Sequence, residues 1–197
     1  MSVRNHRVPG ARVRTALHSS GHRHQQVTGG SVEGPVDRPV EKGLSHLDDH
    51  GAARMVDVSG KTPTHRSATA TCTVRTTVEV VAQIAENGLA KGDALATARI
   101  AAIQAAKRTS ALIPLCHQVP LSSVEVEFVI ADSMVELVAT ARTTDRTGVE
   151  MEALTAVTVG ALTVYDMIKA LDPAARIEGV RLLRKEGGKA GVWEAPP

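Results

Sequence analysis

Two runs of alternating apolar and polar residues, separated by a three-residue break, constrain this chain more than any other feature of its sequence. Val124, Val126, Phe128 and Ile130 alternate with Glu125, Glu127 and Val129, and after Ala131-Asp132-Ser133 a second alternation extends from Met134 to Thr143. Successive side chains on a strand point to opposite faces, so a period of two marks a half-buried strand, and two such strands joined by so short a break form a hairpin. Its apolar face needs a cover. From Val149 to Leu171, the residues Leu154, Val157, Ala161, Val164, Ile168 and Leu171 recur at intervals of three or four. That spacing predicts the longest helix of the chain, stopped by Asp172-Pro173.

The remaining elements follow from the same rules. After Pro63, Ala68, Ala70, Cys72 and Val74 alternate with Thr69, Thr71, Thr73 and Arg75 in a β-branched stretch from His65 to Thr77, a predicted strand. Val78 to Glu86 has helical spacing and is closed by Asn87-Gly88. Asp93 is a good N-cap for Ala94 to Arg108, a segment with seven alanines. Pro114 and Pro120 bracket an extended loop containing LCHQV, and a last strand, Ile177 to Leu183, precedes the glycine-rich KEGGKAG. With one Phe, one Tyr and one Trp among 43% apolar residues, small aliphatic side chains must supply the packing, so closely spaced, alanine-lined helices are expected. The order β, α, α, β, β, α, β predicts an α+β fold, a ferredoxin-like antiparallel sheet with helices packed on one face.

Residues 1–43 show neither period and hold seven Lys/Arg against three Asp/Glu, so they are expected to be a disordered basic extension, with residues 44–197 forming a single catalytic domain. That extension has no aromatic residue on which a base could stack, and the body is nearly neutral, so nucleic-acid binding is not expected. Two cysteines, in no CxxC pair, fit a reducing compartment. No stretch approaches the roughly 18 continuous apolar residues of a membrane span, so no membrane association is expected. Before Glu33 the chain carries Arg, Ser and His but no acid, a composition shared with organelle transit peptides; a cytoplasmic location is the expectation.

Several residues could carry chemistry, and each also has a purely structural explanation. Lys91 precedes a helix start, a place that favours anions, or it is a surface lysine beside an ordinary cap. Arg142 and Arg146 could grip phosphate oxygens as guanidinium forks, or belong to a solvated polar loop. Glu150 and Glu152 stand in the first turn of the long helix, where acids are favoured by the helix dipole alone. Asp166 and Lys169 share one helix face, as an exposed ion pair or as a proton-carrying couple whose lysine pKa falls if burial and a second lysine crowd it. Cys116 and His117 could offer a thiolate, a base or metal ligands; no further ligands stand at suitable spacing, so no metal site is expected and hydrogen bonding by His117 is favoured. GGKAG lacks the spacing of a nucleotide-binding phosphate loop, although Lys189 could close over a polyanion.

Four long strings, MVDVSGK, KGDALATARIAAIQAAKRTSALIPLCH, RTTDRTGVEMEALTAVTVGALTVYDM and RLLRKEGGKAG, resemble the MoaC family and run in its order over roughly residues 44 to 192. The resemblance implies a ferredoxin-like subunit in a homohexamer, a trimer of dimers, with active sites at subunit interfaces. It also implies a step of molybdenum-cofactor biosynthesis: rearrangement of a cyclic dihydro-GTP substrate, supplied by a radical SAM GTP cyclase, to cyclic pyranopterin monophosphate with release of pyrophosphate. No cofactor is implied. By motif position the catalytic group is Lys91, Asp166 and Lys169, and the substrate-contacting segments are Leu115, Cys116 and His117 with Glu150, Met151 and Glu152. Arg66, Arg142, Arg146 and Lys189 fall at basic positions suited to a triphosphate. The chain departs from the family's pattern in having Gln118 where a proline is usual. A catalytically silent phosphate-binding module on the same fold would lack the trio, which is present.

Overall fold

The computed structural model describes residues 52–189 and 191–196; the expected N-terminal extension, residues 1–43, lies outside them. The elements are β1 (Thr64–Arg75), α1 (Val78–Ala85), α2 (Ala94–Ala106), α3 (Thr109–Leu112), β2 (Leu121–Ala131), β3 (Met134–Asp145), α4 (Glu150–Ile168), β4 (Arg176–Glu186) and β5 (Trp193–Glu194). The five strands form one sheet in the order β2-β3-β1-β4-β5, every pair antiparallel. Its first four positions are those of the split βαβ arrangement expected from the sequence, and β5 adds a short edge.

Register explains which face is covered. Ala68, Ala70, Cys72 and Val74 of β1 stand opposite Ala141, Ala139, Leu137 and Val135 of β3, and all eight are buried. Together with Ala153, Val157, Val164 and Ile168 of α4 they make the core. The alternate residues of the same strands face away from the helices and are bridged by polar contacts, with Thr69 Oγ1 and Thr140 Oγ1 2.9 Å apart and Thr71 Oγ1 donating to Glu136 Oε1 at 2.9 Å. In α2, Ala98 and Ala102 are fully buried where it meets α4. A Cβ at Gly160 would come within 2.9 Å of Leu137 Cδ2 and 3.3 Å of Ala102 Cβ, so the two helices and the sheet are close enough there that only hydrogen fits. This is the alanine-lined packing that a core almost without aromatics requires. α4 is long and apolar enough to cross a membrane by length and composition, but half of it is buried inside the protein, as a core helix is.

The strands differ from the sequence reading by up to three residues at their ends, β4 reaching Glu186 rather than Leu183, and two helix ends fall two residues or more early. α2 stops at Ala106, because Thr109 Oγ1 donates to the carbonyls of Ala106 (3.0 Å) and Ala105 (3.5 Å) and the chain re-forms as α3. α4 stops at Ile168, three residues early, where the N–H groups of both Leu171 and Asp172 turn back to the Ile168 carbonyl and Thr76 Oγ1 donates to Asp172 Oδ2 at 2.7 Å.

Candidate active site

The candidate residues collect at the two ends of α4. At its C-terminal end, Asp166 holds two ammonium groups on one carboxylate: Lys169 Nζ lies 2.8 Å from Oδ1 and Lys91 Nζ lies 3.0 Å from Oδ2. Lys91 also donates to the Asp166 carbonyl at 2.5 Å. The sequence places Lys91 at the start of α2, yet Asp93 Oδ1 already caps that helix by accepting from the Ala96 N–H at 2.9 Å. The lysine turns instead to the negative end of α4, where cations are favoured. The two lysines hold Asp166 down at about 2, Lys169 making the larger contribution, and Asp166 in turn raises Lys169. The lowered lysine pKa that a crowded, buried pair would show is therefore not a property of Lys169 here: the cluster is open to water, and a carboxylate bridging two lysines outweighs their mutual repulsion.

At the N-terminal end two joined cavities open. The first, of about 730 Å³, is lined by Lys61, Arg66, Lys185 and Lys189 against only two acids, Glu150 and Glu186. Arg66 is held in place on three sides. Its Nε donates to Thr64 Oγ1 at 2.9 Å and its Nη2 to the Arg146 carbonyl at 3.4 Å. A Cβ at Gly188 would sit 2.3 Å from Nη1, and Gly188 has a φ of 69° in the left-handed region, so the glycine of the KEGGKAG turn is what lets the backbone lie against the guanidinium.

The second cavity, of about 570 Å³, brings together Leu115, Cys116, His117, Glu150, Met151 and Glu152 with apolar walls from Val56, Val58, Ile113 and Val119. Glu152 is only 4% exposed. Burial pushes its carboxyl up to about 7, with Glu150 adding to the shift. Burial, and then the charge of Glu152, raise the Cys116 thiol, so Cys116 is not a ready thiolate. His117 Nε2 lies 2.7 Å from the Val56 carbonyl, which ties the segment before β1 to the proline-bracketed loop. Glu150, at the border of the two cavities, pairs with Lys185 at 3.3 Å.

Of the expected triphosphate contacts, Arg66 and Lys189 line the first cavity, while Arg142 and Arg146 line neither of the two. Arg142 points to the helix-free face of the sheet, where Nη1 contacts Glu125 Oε1 at 2.6 Å, and Arg146 contributes its carbonyl. Lys61 and Lys185 were not singled out from the sequence. Both lie inside the strings MVDVSGK and RLLRKEGGKAG, but nothing in a string says which side chain turns into a cavity.

The family model described as the MoaC family matches residues 55–188, a span that contains both ends of α4 and every lining residue of the two cavities except Lys189. The chain belongs to the MoaC family. Its relatives include the cyclic pyranopterin monophosphate synthase 2 of Mycobacterium tuberculosis (strain ATCC 25618 / H37Rv), 61% identical over 150 residues that cover 76% of this chain and 90% of the relative. The cyclic pyranopterin monophosphate synthase of Streptomyces coelicolor is 57% identical over 164 residues, covering 83% and 94% of the two chains. That of Novosphingobium aromaticivorans is 53% identical over 152 residues, covering 77% and 97%. In this MoaC chain Lys91, Asp166, Lys169 and the six residues grouped in the second cavity all fall within the matched span.

Proposed function

We propose that this chain is a cyclic pyranopterin monophosphate synthase of molybdenum-cofactor biosynthesis, a phosphorus-oxygen lyase acting on (8S)-3',8-cyclo-7,8-dihydroguanosine 5'-triphosphate and releasing pyrophosphate. The observation that carries this reading is the pair of joined cavities. One is cationic and of a size for a polyphosphate. The other mixes apolar walls with Glu152 and His117, a lining suited to a polar heterocycle. Relatives at 53–61% identity bear the same name.

Arg66, Lys185 and Lys189 would neutralise the charge that builds on the departing pyrophosphate as the cyclic phosphate closes, an electrostatic contribution that needs donors fixed in advance. Arg66 meets that need through Thr64, Gly188 and the Arg146 carbonyl. Lys91 and Lys169 would exchange protons with the ring system as it is opened and rebuilt, with Asp166 orienting both ammonium groups.

The two groups of residues stand at opposite ends of one helix. Glu152 and Asp166 are fourteen residues apart on α4, and a rise of 1.5 Å per residue separates them by about 21 Å. One substrate cannot reach both within a single chain, so the reading requires that the exposed lysines of one subunit complete the cavities of another. A homo-oligomer, expected as a hexamer from the family, follows from that requirement. Closure by a partner would also remove water from Lys169 and lower its pKa toward the range of a usable base. The enzyme works in the cytoplasm on substrate made by a radical SAM GTP cyclase.

The test is anaerobic turnover of enzymatically prepared cyclic dihydro-GTP, following pyrophosphate and the oxidised fluorescent pterin, with Lys91→Ala as control. Product from the wild type alone is expected. Binding of the substrate without product would leave a silent binding module.

A further inference from the structure

Of the cations that line the first cavity, Lys61 is, among the described residues, the one that also lines the second. The boundary between them is built from three residues, Lys61, Gly148 and Glu150. Any ligand with a ring in one cavity and a polyphosphate in the other has to cross this boundary. Of the three, Glu150 repels a phosphate and Gly148 offers no side chain, so only Lys61 can attract one. Glu150 already has a partner in Lys185 at 3.3 Å, whereas Lys61 makes no ion pair with another of the described residues.

The segment that carries Lys61 has no regular structure but is held. Asp57 Oδ1 accepts from the Ser59 N–H at 2.8 Å, and the Lys61 N–H donates to the Val58 carbonyl at 3.0 Å, which closes a tight turn. The bond between His117 Nε2 and the Val56 carbonyl, 2.7 Å, pins that turn to the loop forming the other wall of the second cavity. A lysine needs such support to act at a fixed point, because its free side chain carries a large rotamer entropy.

We propose that Lys61 is a further substrate-binding residue, which grips the phosphate nearest the ring, the one retained in the product, and that Asp57 positions it through the turn. This assignment rests on the proposed synthase reading. The phosphates that leave then fall to Arg66, Lys185 and Lys189 on the far side of the boundary.

The experiment compares the full-length wild type with Lys61→Ala, Lys61→Arg, Asp57→Ala and the Lys61→Ala/Asp57→Ala double variant. The readouts are kcat/KM for cyclic dihydro-GTP, inhibition by inorganic pyrophosphate, and calorimetric binding of GTP. Loss of one charge-assisted phosphate contact predicts that Lys61→Ala lowers kcat/KM and GTP affinity roughly 10- to 100-fold. Pyrophosphate inhibition is expected to change less than about threefold, because that ligand makes its contacts elsewhere. Lys61→Arg should recover most of the loss. Asp57→Ala should lose part of it, and the double variant should be no worse than Lys61→Ala, since a positioning residue has nothing left to position. Unchanged GTP binding in Lys61→Ala, a parallel loss of pyrophosphate inhibition, or a fully additive double variant would each overturn the assignment. A wild type that binds GTP in a Lys61-dependent way but makes no product would instead refute the synthase reading and leave the Lys61 site standing.

Discussion

The two ends of α4 carry charged groups of opposite character. At the start of the helix, Glu152 is buried in the wall of a cavity, without a cation paired to it among the described residues, and is held toward its neutral form. At the end, Asp166 is open to water, clasped by two lysines and held firmly ionised. One lines a cavity and the other stands open to water. A single helix sets them about 21 Å apart, so under the proposed reading their chemistry would meet only between two copies. Under the proposed reading, the buried end would shape and read a ligand and the exposed end would deliver protons to it.

Disabling the two ends in different chains tests whether they serve one site. Lys169→Ala is expected to reduce turnover by about 10²- to 10⁴-fold, the usual range for losing a positioned acid or base, and Glu152→Ala by about 10²-fold or more through loss of a buried polar contact to the substrate. Mixed after dissociation and reassembly, the two variants should regain activity, because some interfaces then pair an intact start of α4 with an intact end. In a random equal mixture that fraction is roughly a quarter for a site shared by two subunits. No regain in a mixture shown to exchange subunits would place both ends in one chain's site and sink the two-subunit reading.

A smaller effect sharpens the same contrast through pH. The carboxyl of Glu152 lies at about 7 in the folded protein against an ordinary value of 4.5, so the folded state binds its proton more tightly than the unfolded one. Its contribution to stability is complete below the unfolded value and is lost as pH rises through 7. Glu152→Gln removes that loss. The variant should be more stable than the wild type at pH 8, by about 1–3 kcal/mol, with the difference shrinking toward pH 4. Urea unfolding at a series of pH values reads this directly, and parallel curves for the two proteins would mean that Glu152 is ionised at neutral pH.

Most of the sheet was legible in the sequence because its physics is local. Alternation in β1, β2 and β3 gave their faces, and the three-and-four spacing of α4 gave its buried stripe. The early stop of α2 was not legible, since it depends on Thr109 bonding back to two carbonyls, and β5 is too short to show any period. The candidate site was legible as motifs and not as geometry. Lys91 stands beside an N-cap in sequence but reaches the far end of another helix in space, 75 positions along the chain. Arg142 lies in the same polar run as Arg146, yet strand pleating sends it to the opposite face, toward Glu125. Lys61 and Lys185 have no local signature, because what distinguishes them is a cavity assembled from segments far apart in the chain.

The smallest expected effect lies at the exposed end. Asp166→Asn should abolish most activity while leaving the melting temperature at neutral pH nearly unchanged, because ion pairs in water are screened and offset by the entropy of fixing long side chains. What stability the cluster does supply has the opposite sign of pH dependence from Glu152. Asp166 is held at about 2 against an ordinary 3.8, so its contribution is present above the unfolded value and disappears as pH falls through 2. Wild type and Asp166→Asn should therefore melt together at the acid limit, and any gap should open as pH rises through about 2 and be complete above about pH 4. Thermal melts of the two proteins across pH 2–8 in low and high salt test this. A large, salt-insensitive gap at pH 7 would mean that the assembled oligomer already shields the Lys91–Asp166–Lys169 cluster from water before substrate arrives, so that the closure proposed for Lys169 precedes substrate binding.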